Sequence, residues 1–440
     1  MWFSKKDDKD SKLLFSDQWM KEWKEAINQS ESYRITGVGW NEPLVLKFNP
    51  VPKYLQKTDS VGIYLDLSNG VCNELRYANS DDVKETNIVL SASEESWIHI
   101  IRNRKDPMYQ LMKGKIKAEK GGLVKLSTHH KSARALLECA PFYDQLPNDS
   151  LLQTHTRESS NRAKKRNRFK TTSKGLDFES FPMQLFQKSK TLGIWNPADI
   201  NLDKDIKDWK SLNDEEKKIL THLFSLFMAG EEAVTLDLLP LIQAVAREGR
   251  IEEEIYLASF LWEEAKHTEF FSRVAAGVMN GHSDFESFHG PFYKILFYEK
   301  LPVSLSALND NPSPVNQLKA SAVYNMIVEG TLAETGYEAF YKMLEENDLM
   351  PGLRKGITLL KRDESRHIAF GLYFINRLLD EHSDLRPNLE NELETLLNDA
   401  TNMIHEIFEP YEVVPFGLEK EWFLNYAIQQ FQLRMNKLGF

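Results

Sequence analysis

Two segments of this chain repeat one step, Trp262-Glu263-Glu264-Ala265-Lys266-His267 and Arg362-Asp363-Glu364-Ser365-Arg366-His367. Each contains Glu-x-x-His, and on a helix a three-residue step puts both side chains on one face. Of 11 histidines, three have a glutamate three positions earlier, His267, His367 and His289, the last behind Glu286. The spacing alone is a weak motif; its surroundings strengthen it. Glu264 shares a helical stripe with Leu257, Phe260, Leu261 and Phe271, and Glu364 shares one with Ile357, Leu360, Ile368 and Ile375. A carboxylate on an apolar face is costly unless something positive neutralises it. Two helices with the same arrangement point to one common positive object, and a metal pair suits it.

A carboxylate dimetal site inside a helical bundle needs two Glu-x-x-His helices and a single glutamate from each of two more. Glu231 lies 33 residues before Glu264, and Glu329 lies 35 before Glu364. If each pair sits at equal height on an antiparallel hairpin, the turns fall beside Gly249 and at Asp348 to Pro351-Gly352, where helix breakers stand. Glu231 is flanked at helical offsets by Phe224, Phe227, Val234, Leu238 and Ile242, whereas Glu232 has the poorer face. Asn213 with Glu216 reads as a capping box opening the first long helix. Helices follow at about 252–279, 314–345 and 353–380, then 388–408 and 419–438. Nothing in this half alternates like a strand, so it reads as all-α. Asp363 is a candidate acceptor for a ligating imidazole N–H.

The first 143 residues read differently. Ser16 can cap a helix burying Trp19, Trp23 and Ile27. Strand-like runs stand at Leu44–Phe48, Val61–Leu67, Val71–Tyr77 and Asn87–Leu90, with Ser68-Asn69-Gly70 as a hairpin turn. Ser91 with Glu94 reads as a capping box for a helix carrying Trp97, Ile98 and Ile101. Asp106-Pro107 starts a short helix that stops at Gly114. A hairpin of Lys115–Glu119 and Leu123–Leu126 and a helix over Lys131–Cys139 close a mixed α/β unit that shows no catalytic constellation. Residues 144–176 read as a polar linker with a basic cluster from Arg162 to Lys170, and 177–440 as the helical domain.

With 440 residues the chain can build two or three cores. Its net charge of −10 argues against general nucleic-acid binding. The 2 cysteines are too few for a disulfide framework or a zinc site, so a reducing cytoplasm is the expectation. The N-terminus has no apolar signal region, and no run of 18 apolar residues marks a transmembrane segment.

Two resemblances follow. Ile88–Trp97 and Asp106–Gly121 are similar to the sterol-carrier-protein type 2 domain, which implies an apolar tunnel for lipid-like molecules over residues 1–143. Residues 176–438 resemble the ribonucleotide reductase small-subunit superfamily of ferritin-like proteins, and within it the ligand-binding oxidases. The matching pieces are Gly175–Met183, Leu192–Asp199, Gly230–Val234, Glu264–His267, Tyr324–Glu329 and Asp363–His367.

The second resemblance implies metal ligation by Glu231, Glu264, His267, Glu329, Glu364 and His367. It also implies a manganese–iron pair (a di-iron pair being the alternative), a long-chain fatty acid or similar lipid near the metals, reduction of O2 with an unknown electron donor, and a homodimer. A Tyr324–Val234 ether cross-link is implied as well. Leu238, Phe271 and Tyr337 are expected to border the ligand channel. The same family includes reductase small subunits, which usually carry a radical tyrosine where Phe271 stands, an aspartate where Glu231 stands, and a tail beyond the last helix. A desaturase and a non-catalytic lipid carrier with a structural metal site are the other readings, and dioxygen consumption with a lipid present separates these two.

Overall fold

The computed structural model describes residues 14–52, 55, 60–121, 126–142, 169–279 and 284–440. The chain forms two compact units, Met1–Thr156 and Arg157–Phe440. The basic cluster falls outside the described residues up to 168, and so do positions 123–125 of the expected second hairpin.

In the first unit, helix α1 (Asp17–Gln29) is capped by the Ser16 hydroxyl and buries Trp19, Met20, Trp23 and Ile27. A short α2 (Glu31–Thr36) leads to β1 (Leu44–Phe48), β2 (Ser60–Ser68) and β3 (Val71–Asn79). Then come α3 (Ser80–Glu85), β4 (Ile88–Ala92), α4 (Glu94–Arg102), α5 (Pro107–Met112), β5 (Lys117–Lys120) and α6 (His130–Glu138). The sheet order is β3-β2-β1-β4-β5, antiparallel except for the central β1–β4 pair. That parallel pair is made by the two most continuously apolar strands, as burial on both faces requires.

Two expectations are corrected here. The cap of α4 is Ser93, which accepts from the Ser96 N–H, while Ser91 is buried in β4. Ser93 stands immediately before the first helical residue, and that is where an N-cap hydroxyl can reach the free N–H groups. Leu126 is helical rather than part of a strand, and β5 pairs with β4.

The second unit is helical among the described residues. Its main elements are α7 (Phe181–Leu192), α8 (Asp214–Asp237), α9 (Ile251–Gly277) and a long third core helix, α10. Helix α10 runs from Pro314 to Ser321 as α, from Ala322 to Ala333 as π, and from Glu334 to Leu344 as α again. Helices α11 (Pro351–Glu381), α12 (Arg386–Phe408) and α13 (Lys420–Lys437) follow.

The Asn213–Glu216 capping box opens α8 as expected. The turn into α9 is made at Gly249, with φ of 76°, a left-handed conformation natural to glycine. The turn into α11 passes through Asp348 and Met350, both at positive φ. Asp205 then accepts the Gly352 and Leu353 N–H groups, satisfying donors at the start of α11. The stretch Asp214–Glu248 is long and apolar enough to cross a membrane by length and composition, but it includes α8, whose apolar side chains fill the bundle core.

Candidate metal centre

Helices α8, α9, α10 and α11 each bring one carboxylate to the middle of the bundle. Glu231, Glu264, His267 and Glu364 form one group, and Glu264, Glu329, Glu364 and His367 a second, with donor atoms within 4.8 Å of one another in each. All six are buried, and Glu264 and Glu364 belong to both groups. Two cations held here would share those two glutamates.

The imidazoles are oriented for this. Nδ1 of His267 faces inward, 3.4 Å from Glu264 Oε2 and 3.2 Å from Glu364 Oε1. Nδ1 of His367 likewise lies 3.0 Å from Glu264 Oε1 and 3.2 Å from Glu364 Oε2. Both Nε2 atoms face carboxylates outside the cluster: Asp363 Oδ2 at 3.4 Å for His267, Glu263 Oε2 at 2.9 Å for His367. An Nε2–H donated outward leaves the Nδ1 lone pair for a metal. His267 Nδ1, Glu264 Oε2 and Glu329 Oε1 are buried without a hydrogen-bond partner, a cost that metal ligation would remove. Four ionised carboxylates also balance two divalent cations in charge, and this hard donor set suits manganese and iron.

The outer carboxylates cross over. Asp363, on the helix of His367, supports His267; Glu263, on the helix of His267, supports His367. Arg366 donates to both Glu263 (2.6 Å) and Asp363 (2.7 Å). Lys266 donates to Asp363 at 3.0 Å and to the Gly193 carbonyl at 2.6 Å, and the Trp195 indole donates to Asp363 at 2.7 Å. Gly193 is required here, because a Cβ would stand 2.1 Å from Glu263 Oε1. Two acids and two bases thus close a buried, neutral network around the imidazoles.

The π segment of α10 carries both Tyr324 and Glu329. With closure between residues five apart, these two fall on one face, whereas an α-helix would rotate them away from each other. The Tyr324 hydroxyl donates to Glu264 Oε1 at 3.4 Å, and Asn325 donates to Glu329 Oε2 at 3.0 Å. Val234 is buried one turn beyond Glu231.

An apolar cavity of about 940 Å³, open solvent at its mouth included, reaches Glu231, Glu264, Glu329 and Glu364. Val234 and Tyr337 line it together with Phe227, Leu332 and Phe423. Tyr337 is fully buried and its hydroxyl has no partner. Leu238 and Phe271 are buried but do not line this cavity. Phe271 is instead surrounded by rings, with Phe224, Phe227 and Phe270 at 5.1, 5.7 and 5.5 Å. In the first unit, a separate cavity of about 670 Å³ is lined by apolar side chains, among them Trp23, Trp40, Leu65, Trp97 and Leu136.

Residues 183–440 match the model of the family described as ribonucleotide reductase, small chain. The chain belongs to that family. Among solved structures it is similar to an R2-like ligand-binding oxidase with aerobically reconstituted Mn/Fe cofactor, at 38% identity and a TM-score of 0.60. The match covers 62% of this chain and 98% of that one. A valine-to-alanine mutant of such an oxidase, with anaerobically reconstituted Mn/Fe cofactor, matches at 39% identity, with the same coverage and a TM-score of 0.59. These relatives of the small-chain family carry an Mn/Fe cofactor, and the buried carboxylate–histidine cluster of this chain could hold such a pair.

Glu263, Lys266, Arg366, Trp195 and Asn325 were not singled out from the sequence. A signal for three of them was present: both motifs read acid-Glu-x-base-His, so Glu263 and Asp363, and Lys266 and Arg366, occupy equivalent places.

The electrostatics give a pH prediction for the metal-free chain. Burial pushes the Glu231 carboxyl up to about 8 from 4.5, against the pull of His267, and burial beside Glu364 raises Glu329 well above its usual range. Burial would lower His267 and His367, but the carboxylates around them hold both well above 6.5. All four shifts are upward. Their stabilisation is therefore complete at low pH and is lost as pH rises through the folded-state values. Glu264 and Asp363 run oppositely: hydrogen bonds from the imidazoles outweigh burial and hold them low, so their contribution is lost only in acid. Between about pH 5 and 8 the Tm of metal-free protein is expected to fall, while that of metal-loaded protein stays nearly level. Thermal scans of both forms across that range check this; parallel curves would contradict it.

Proposed function

We propose that this chain is an O2-using dimetal oxidase carrying out two-electron oxidation of a hydrophobic, fatty-acid-like ligand. The observation that carries the reading is one cavity with four carboxylates at its metal end and apolar walls elsewhere. Glu231, Glu264, His267, Glu329, Glu364 and His367 would hold the two metals, and Glu264 and Glu364 belong to both ligand groups. A bound Mn/Fe pair supplies electrons for the reductive activation of O2. Phe227 and Leu332 keep bulk water from the reacting end. Asp363 and Glu263 fix the imidazole tautomers, and the Lys266–Arg366 network holds those acids ionised. In the proposed cross-link, the Tyr324 oxygen bonds to Val234 Cβ as the Tyr O–H and Val C–H bonds break. The electrons and protons released go to O2.

The N-terminal module, residues 1–143, is proposed to bind a lipid in its own apolar cavity, with 144–176 as linker and 177–440 as oxidase. A cytoplasmic homodimer is part of the same proposal. Deleting 1–143 should slow turnover of a sparingly soluble substrate, and unchanged turnover would remove the delivery role. The oxidase reading is tested by oxygen uptake of Mn/Fe-loaded protein with and without a long-chain carboxylate. Faster uptake with the lipid supports it; no uptake in either case rejects it.

A second reading, a reductase small subunit, is favoured by the family match. Phe271 weighs against it, because a phenylalanine cannot carry the tyrosyl radical expected four residues after His267.

A further inference from the structure

The cavity over the carboxylates has a neighbour. A second chamber, about 970 Å³ with its open mouth included, is lined by Lys218, His222, Glu406 and Tyr411, among others. It shares Leu226, Tyr293, Met403 and Ile407 with the first cavity, so these four side chains form the partition between them.

The two sides of this partition differ in freedom. On one side, the Tyr293 hydroxyl donates to the Leu226 carbonyl at 2.8 Å, and its ring stacks on Phe297 at 4.4 Å. The opposite neighbour of that ring is His289 at 4.5 Å, held between Ser225 Oγ (3.0 Å) and the Tyr298 hydroxyl (2.9 Å). Tyr293 is a fixed post. On the other side stand Met403 and Ile407 of α12, without a polar side-chain group to pin them. An unbranched thioether with three rotatable bonds repacks readily, so Met403 is the part of the wall that can move.

The chamber side carries hydrogen-bond donors. The Lys218 ammonium sits 5.1 Å from the centroid of the Tyr411 ring, with only a 4.0 Å ion pair to Glu215. The Tyr411 hydroxyl is buried without a hydrogen-bond partner. Two acids line the chamber: Glu406, engaged by the Phe292 N–H at 3.1 and 3.2 Å, and the exposed Glu409. A carboxylate entering the chamber meets the Lys218 ammonium and, in the wall beside it, Tyr411, whose hydroxyl is unused, next to an apolar passage.

We propose that this chamber is the door to the metal cavity, with Lys218 and Tyr411 capturing the carboxylate headgroup and Met403 acting as the moving leaf. The inference rests on the ligand reading above and adds the route and the residues that set the rate of entry.

Stopped-flow binding of a fluorescent long-chain carboxylate, cis-parinaric acid, to the full chain loaded anaerobically with Mn(II) and Fe(II) tests it. Met403→Trp should slow association about tenfold, and Met403→Ala, a smaller leaf that keeps the result independent of folding defects, should speed it. Lys218→Glu should slow association several-fold at low salt, on the order of the steering effects charged mouths produce, and should converge on wild type at high salt. If wild type binds and none of the three variants changes the rate, the door is elsewhere and the ligand reading stands. If wild type does not bind the probe, the ligand reading falls and the door falls with it.

Discussion

Glu264→Ala is expected to empty both metal positions at once. Glu264 is one of two carboxylates within reach of both donor groups, and both inward-facing imidazole nitrogens lie beside it. Glu231 belongs to one group only, so Glu231→Ala should weaken one position and leave the other filled. The loss for Glu264→Ala should exceed the roughly 10–100-fold seen on removing an outer hydrogen-bond partner, since a shared ligand is removed. Glu232→Ala, one residue away and exposed, serves as the control. Metal content after anaerobic loading and gel filtration decides: near-zero metal for Glu264→Ala is expected, and retention of two metals would refute the sharing.

Arg366→Met should be the most damaging change that touches no candidate ligand. Its guanidinium donates to both Glu263 and Asp363, and all three side chains are at most 4% exposed. Removing it leaves two buried carboxylates with one ammonium, Lys266, between them. Breaking a buried pair by deleting one partner costs about 3–5 kcal/mol because the remaining charge is uncompensated. For a unit of this size that corresponds to a fall in Tm on the order of 10 °C. Arg366→Met with Glu263→Gln should recover part of the loss, since one buried charge disappears with its partner. A single variant melting within about a degree of wild type would show that the network contributes little.

Much of this arrangement could be read from residue types because each ligand had to sit on an apolar helix face. The offsets of Glu231 and Glu329, together with breakers at Gly249 and Asp348–Gly352, describe two hairpins whose turns the structure makes at those places. What escaped the sequence was set by contacts between distant segments. The crossed support, Asp363 to His267 and Glu263 to His367, depends on how two helices face each other, and neither helix states that alone. The π segment at Ala322–Ala333 depends on closure between residues five apart, which no residue type encodes. Phe271, expected to border the ligand channel, does not line the cavity over the carboxylates but packs among aromatic rings at 5–6 Å. In the first unit, Ser91 and Ser93 are both good caps, and pairing of β4 with β1 through Ser91 decided between them.

The central claim is two-electron oxidation at the carboxylate cluster, and peptide mass spectrometry tests it most directly. Protein loaded with Mn(II) and Fe(II) would be digested before and after exposure to air. The account predicts that air joins the peptides containing Val234 and Tyr324, lighter by one hydrogen from each residue. Separate peptides of unchanged mass, from protein that holds both metals and has met oxygen, would contradict it.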